Sequence, residues 1–232
     1  MKFFASGGTH GVQFSEKTAR INLQAVRKKG GGAMRLYFTD LHTWPRMDAR
    51  LRARIEALCS PMRVQRARAL AREPDALAVL AAGLLLRYAL GCTDEALSRG
   101  AHGKPYLLSG PEFSLTHGGA LAAILIADSP CGVDTEPLDR AAKQPERLFS
   151  AQELAMGLAP AALWTRKEAV FKADGRGAAL FREEIDISGR TAPCGGRTFA
   201  LTTHIVRAHA LSCAAAEPVG APVELSLPEL LE

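Results

Sequence analysis

Between Asp75 and Gly91 the chain carries its longest apolar run, Ala76 to Leu86, interrupted by Gly83 and stopped by Arg87. The run is shorter than the roughly 20 residues needed to cross a bilayer, so it must be covered by other parts of the same protein. Leu77, Leu80, Leu84 and Tyr88 recur on one face of a helix that Asp75 is placed to cap and Gly91 to end. Such a core helix needs layers to pack on. With 232 residues, 47% hydrophobic and 23% charged, the chain is large enough to build them as one compact domain or two small ones. That composition excludes a disordered chain, a collagen and a small disulfide scaffold. Five cysteines, odd in number and without a CxxC pair, argue against a disulfide framework or zinc ribbon and predict a reducing, cytoplasmic setting.

A net charge of +5 raises the question of nucleic acid, and its distribution answers it. Residues 1–33 hold six basic side chains against Glu16 alone, so they account for the whole excess and the remainder is formally neutral. That segment is glycine-rich and aperiodic, whereas Met34 to Leu41 alternates as a strand does, which predicts a disordered or mis-annotated extension followed by a domain starting at Met34. No helix-turn-helix or RNA-binding signature accompanies the charge. Arg46 to Arg72 is locally rich in arginine, and Leu51, Ile55 and Leu58 predict a helix there with the arginines on its solvated side.

Further along, Gly103-Lys104-Pro105-Tyr106 reads as a turn, and Phe113–Thr116, Leu121–Ala127 and Cys131–Glu136 read as strands. Ser150-Ala-Gln-Glu153 forms a plausible capping box, Ala161 to Ala173 a helix ended by Gly175 and Gly177, and Ile185 to Ala215 strand-like segments. The order predicts an α+β fold in two halves, 34–130 and 131–232, meeting near Ser129 to Gly132.

Three groups of residues could carry chemistry. In Gly132-Val-Asp-Thr-Glu136 the period of a strand turns Asp134 and Glu136 to one face, where paired carboxylates suit Mg²⁺ or simply face solvent. Trp164, Glu168 and Lys172 recur every four residues on one helical face, which serves either a site or an intrahelical Glu168–Lys172 ion pair with Trp164 in the core. Thr116 and His117 stand where a strand enters the Gly118-Gly119 turn, a place suited to phosphate. The other histidines, His10, His42, His102, His204 and His209, show no metal-ligand spacing.

Taken in order, Gly103-Lys-Pro-Tyr106, Phe113-Ser-Leu-Thr-His117, Gly132-Val-Asp-Thr-Glu136, Phe149 with Glu153, and Trp164-Thr-Arg-Lys-Glu-Ala-Val-Phe-Lys172 resemble the motifs of the 4′-phosphopantetheinyl transferase superfamily, in its longer, surfactin-synthetase-activating type. The resemblance implies a monomeric pseudo-dimer of two similar α+β halves with coenzyme A in the cleft between them. It implies Mg²⁺ on Asp134, Glu136 and Glu168, with Glu168 also as base and Lys172 offsetting phosphate charge. Lys104, Pro105, Thr116 and His117 would contact coenzyme A, and the partner would be an acyl or peptidyl carrier protein. Thr116 replaces the usual serine, Gly118 a small hydroxyl residue, and the stretch from Glu153 to Trp164 is short. The expected activity is holo-carrier-protein synthesis in fatty acid, polyketide or nonribosomal peptide production, with no nucleic acid and no membrane. The alternative is a catalytically impaired module that binds coenzyme A or a carrier protein.

Overall fold

Arg35–Asp40 (β1) alternates as its sequence predicts, sending Leu36 and Phe38 to one core and Tyr37 to another. It belongs to the computed structural model of residues 34–140, 145–177 and 184–232, so the expected extension 1–33 lies outside the described residues. Where the arginine-rich stretch predicts a helix, the chain forms two, Ala49–Ala57 (α1) and Pro61–Arg68 (α2). The break is local chemistry: Ser60 accepts the Arg63 N–H as an N-cap, and Pro61 favours the first turn of a new helix.

The apolar run forms Glu73–Leu90 (α3), which ends at Gly91 in the left-handed conformation (φ 67°) as expected. Its start differs from the expectation. The N-cap position is Arg72, with Pro74 in the first turn, and Asp75 is an exposed residue inside that turn, where its charge still suits the helix dipole. A single apolar face is also too narrow a description: from Ala76 to Leu86 every residue but Leu77 is buried. Gly83 belongs to this packing, because a Cβ there would collide with the Arg63 side chain.

Glu112–Gly118 (β4) and Leu121–Ala127 (β5) pair antiparallel, and β5 pairs antiparallel with β1. On the far side of β1 lies Val223–Glu224 (β10), parallel to it, so the first sheet runs β10-β1-β5-β4. Ser98–Arg99 (β2) and Pro105–Tyr106 (β3) make a separate short ribbon. The second sheet is antiparallel, in the order Gly132–Pro137 (β6), His209–Ala215 (β9), Arg197–Val206 (β8) and Thr191–Cys194 (β7). Pro145–Leu148 (α4), Ala151–Leu154 (α5) and Pro160–Asp174 (α6) lie between β6 and β7 in the chain, and Leu227–Leu230 (α7) follows β10.

The alternation of the strands stacks these parts in four layers. Ala122, Ile124 and Ile126 of β5 face α3, while Leu121, Ala123 and Leu125 face the second sheet, meeting Val133, Leu211 and Cys213. Ala214, Phe199 and Leu201 then turn outward to α6. β5 and β9 are consequently buried along their whole length, which explains the unbroken apolar run of β5. Beyond β9 the chain returns to the first sheet: Leu225, Leu227 and Leu230 are buried in its core beside α3. The fold is thus α+β. All five cysteines are free thiols, and among the described residues no helix is long and apolar enough to cross a membrane.

One glycine sets the distance between α6 and the second sheet. A Cβ on Gly132 would fall on the carbonyl oxygen of Ala169 and close to the Ala173 amide, both helix backbone that cannot swing aside. Gly132→Ala is expected to lower stability by about 1–3 kcal/mol or more, as overpacking does, read as a fall in the urea midpoint.

Candidate active site

β4 and β6 are the edge strands of their sheets and lie against each other. Side chains, more than a backbone ladder, join them. The Val133 N–H donates to Ser114 Oγ (3.0 Å), and Thr116 Oγ1 donates to Asp134 Oδ1 (3.0 Å). At the end of the seam a Cβ on Gly118 would strike the Thr135 carbonyl, so glycine stands where a hydroxyl residue is expected because the strands leave no room.

The helix α6 crosses the outer face of β6. From Ala161 to Ala173 only Trp164, Glu168, Phe171 and Lys172 are less than fully buried, so the predicted four-residue spacing is the open stripe of an otherwise enclosed helix. Lys172 does not reach back along its own helix: its Nζ donates to Asp134 Oδ1 (2.7 Å) and to the Val133 carbonyl (3.1 Å). Trp164 and Phe171 pack on the core beneath the stripe.

Val133 points into the core between the sheets while Gly132 faces α6, and the same alternation turns Asp134 toward Lys172. Burial pushes the Asp134 carboxyl above its usual range; the Lys172 charge opposes this and the charge of Glu168 adds to it. Glu136 lies beside Gly118 and is ion-paired with Arg140. Among the described residues no three His, Cys, Asp or Glu side chains are grouped so as to hold a metal ion. The donors nonetheless suit Mg²⁺ in kind. Mg²⁺ commonly takes one or two carboxylates and fills its other positions with water and substrate phosphate.

A cleft of about 240 Å³ opens beside the seam, bordered by Lys104, Pro105, Phe113, Leu115, Phe171 and Lys172. Lys104 Nζ donates to the Cys131 carbonyl (3.2 Å) and lies 4.0 Å from Glu112. Thr116, one position before His117, points into the seam and is buried, whereas the His117 ring is exposed. The protein crowded around that ring nevertheless desolvates it, and with the charges of Arg66, Arg63 and Lys172 this lowers its pKa to about 4.

The arginine-rich helices divide by role. Arg63 is internal, donating to Asp94 through Nε (2.8 Å) and to the Val79 carbonyl (3.1 Å), contrary to a uniformly solvated face. Arg52 and Arg68 converge on Glu56. Arg66 is exposed, pairs with no carboxylate among the described residues, and its charge reaches His117.

Two neighbours of Glu168 hold the helix in place and are not apparent in the motif. Lys167 is 1% exposed, pairs with Glu153 (2.8 Å) and donates to the Ile185 carbonyl (2.6 Å). Glu153 also receives the Ser150 N–H (2.8 Å), as the predicted capping box requires, and the Ile187 N–H (3.1 Å). Arg166 donates to the Ile187 and Gly189 carbonyls. The signal in the sequence is that Leu163, Val170 and Phe171, on the same helical side as Lys167, are apolar.

Residues 130–215 match the family model of the 4′-phosphopantetheinyl transferase superfamily. The match spans β6, α6 and β7 to β9, hence Asp134, Glu136, Glu168 and Lys172; Lys104, Thr116 and His117 precede it. It points to phosphopantetheinyl transfer as the class of chemistry. No curated protein matches the chain.

Two outcomes follow from this geometry. Glu153→Gln leaves Lys167 charged in the interior and is expected to cost about 3–5 kcal/mol, measured by urea unfolding. In an NMR titration the His117 ring should stay neutral until the pH nears about 4. Because the unfolded chain takes that proton near pH 6.5, this residue subtracts from stability as pH falls from about 6.5 to about 4.

Proposed function

We propose that the protein transfers the 4′-phosphopantetheine arm of coenzyme A to a serine hydroxyl of an acyl or peptidyl carrier protein, with Mg²⁺ as the metal. The observation that carries this reading is the meeting of two sets of groups at the seam. Asp134 and the Glu168–Lys172 stripe come from the family-matched residues, and Lys104, from the turn before β3, and His117, from β4, come from the residues before them. In this reading the regions 34–130 and 131–232 are the similar halves of a pseudo-dimer acting as a monomer, with coenzyme A between them.

The chemistry balances with the side chains at hand. The serine oxygen forms a bond to the β-phosphorus of coenzyme A, the bond from that phosphorus to the bridging oxygen breaks, and adenosine 3′,5′-bisphosphate leaves. Glu168 accepts the serine proton, and Lys172 offsets charge gathering on the phosphate oxygens. Asp134, Glu136 and Glu168 would hold the cation, which would supply positive charge to neutralise the pyrophosphate. For this Glu136 would give up its exposed partner Arg140. Lys104 and His117 contact the phosphates, and Pro105 borders the nucleotide. The arginine that joins them is Arg66, which pairs with no carboxylate among the described residues and whose charge acts on His117.

The test is mass spectrometry of apo carrier proteins incubated with coenzyme A and Mg²⁺. The wild type should add one phosphopantetheine to one serine. Glu168→Gln should slow transfer by about 10²–10⁴-fold while remaining folded. Arg66→Ala should raise the KM for coenzyme A more than it lowers kcat. A wild type that binds coenzyme A and modifies no carrier would favour the impaired binding module, and a folded Glu168→Gln that transfers at the wild-type rate would remove Glu168 from the chemistry.

A further inference from the structure

The hydroxyl of Thr116 has a single proton, and that proton is already committed. Thr116 is 5% exposed, in the seam between β4 and β6, and it donates to Asp134 Oδ1 at 3.0 Å. A phosphate ester near neutral pH offers only acceptor oxygens, so a hydroxyl left with lone pairs alone cannot bind it. The next residue, His117, is turned by strand alternation to the exposed side, which leaves the phosphate contacts of this strand to the imidazole.

The same carboxylate oxygen receives the Lys172 ammonium at 2.7 Å, and Lys172 is itself steadied by the Val133 carbonyl at 3.1 Å. Two donors, one from β4 and one from α6, thus act on Oδ1, while Oδ2 takes no hydrogen bond from the described residues. A carboxylate held through one oxygen has its plane fixed and its other oxygen left for a ligand. Threonine suits this task better than serine, because branching at Cβ restricts χ1 and keeps the hydroxyl aimed. We propose that Thr116 is a positioning residue that orients Asp134 for a divalent cation, and that it is not a phosphate contact. This inference rests on the functional reading given above.

The experiment separates the two roles by measuring binding, with Mn²⁺ as the probe. Mn²⁺ affinity in the presence of coenzyme A is read by electron paramagnetic resonance, and coenzyme A affinity in EDTA by calorimetry. Thr116→Val should weaken Mn²⁺ by about 10–100-fold, the usual effect of removing an outer-shell partner, and leave metal-free coenzyme A affinity unchanged. Thr116→Ser should restore Mn²⁺ binding, and Thr116→Ala repeats the test without the bulk of valine should Thr116→Val not fold. A loss of metal-free coenzyme A affinity matching that of His117→Ala, or unchanged Mn²⁺ affinity in Thr116→Val, would overturn the inference alone. A wild type that binds coenzyme A but no Mn²⁺ overturns the metal role together with this inference, and one that binds neither overturns the functional reading itself.

Discussion

The contact between β4 and β6 is the constraint on which the rest of the molecule depends. Each strand closes its own sheet, and an edge strand normally presents unpaired backbone groups to solvent. Here the two edges cover each other, and Ser114 and Thr116 supply hydrogen bonds that a continuous ladder would have supplied. Hydroxyls reach where backbone does not, so the sheets can stack face to face through the Leu121, Leu125, Val133 and Leu211 core and still be joined at one margin. The polar residues of the candidate site lie along that margin because it is where apolar burial ends and the two layers remain in reach of each other.

Electrostatics around the seam are balanced locally. Asp134 is desolvated, and an unpaired charge at that depth would be costly; Lys172 and Thr116 compensate it. Around α6, Glu153 and Lys167 neutralise each other while gathering the backbone of residues 150, 185 and 187. The arrangement leaves positive charge on the rim, at Arg66 and Lys172 beside the neutral His117 ring, and keeps negative charge inside. An anionic ligand therefore meets a complementary rim before it meets a carboxylate.

Much of this was legible in the residues. The run of β5, the helix of Ala76 to Leu86, the Ser150–Glu153 cap and the strand alternation at Asp134 each follow from local periodicity, which tertiary packing preserved. What local pattern does not carry is the identity of the partner across a gap. Trp164, Glu168 and Lys172 share a face by sequence alone, but that Lys172 turns to Asp134 depends on the close approach at Gly132. Arg63 and Arg66 look alike in a basic helix, and only Asp94, from beyond α3, draws the first inside. Thr116 resembles a phosphate contact until the strand beside it is placed. The return of the chain to β1 had no local signal, since two residues of strand leave no period to read.

That return has a kinetic consequence. β10 pairs with β1 across almost the whole described length of the chain, Tyr37 opposite Val223 and Phe38 opposite Glu224, and it brings Leu225, Leu227 and Leu230 into the core beneath α3. During synthesis the first sheet exists without its outer strand until every strand of the second has emerged. Its exposed margin and partly open core must persist through that interval, and the final closure carries the entropy of a very long loop. The first sheet therefore cannot be completed before residues 223–230 have emerged, although all four strands of the second precede them, so the last segment made is the one that closes the core beneath α3.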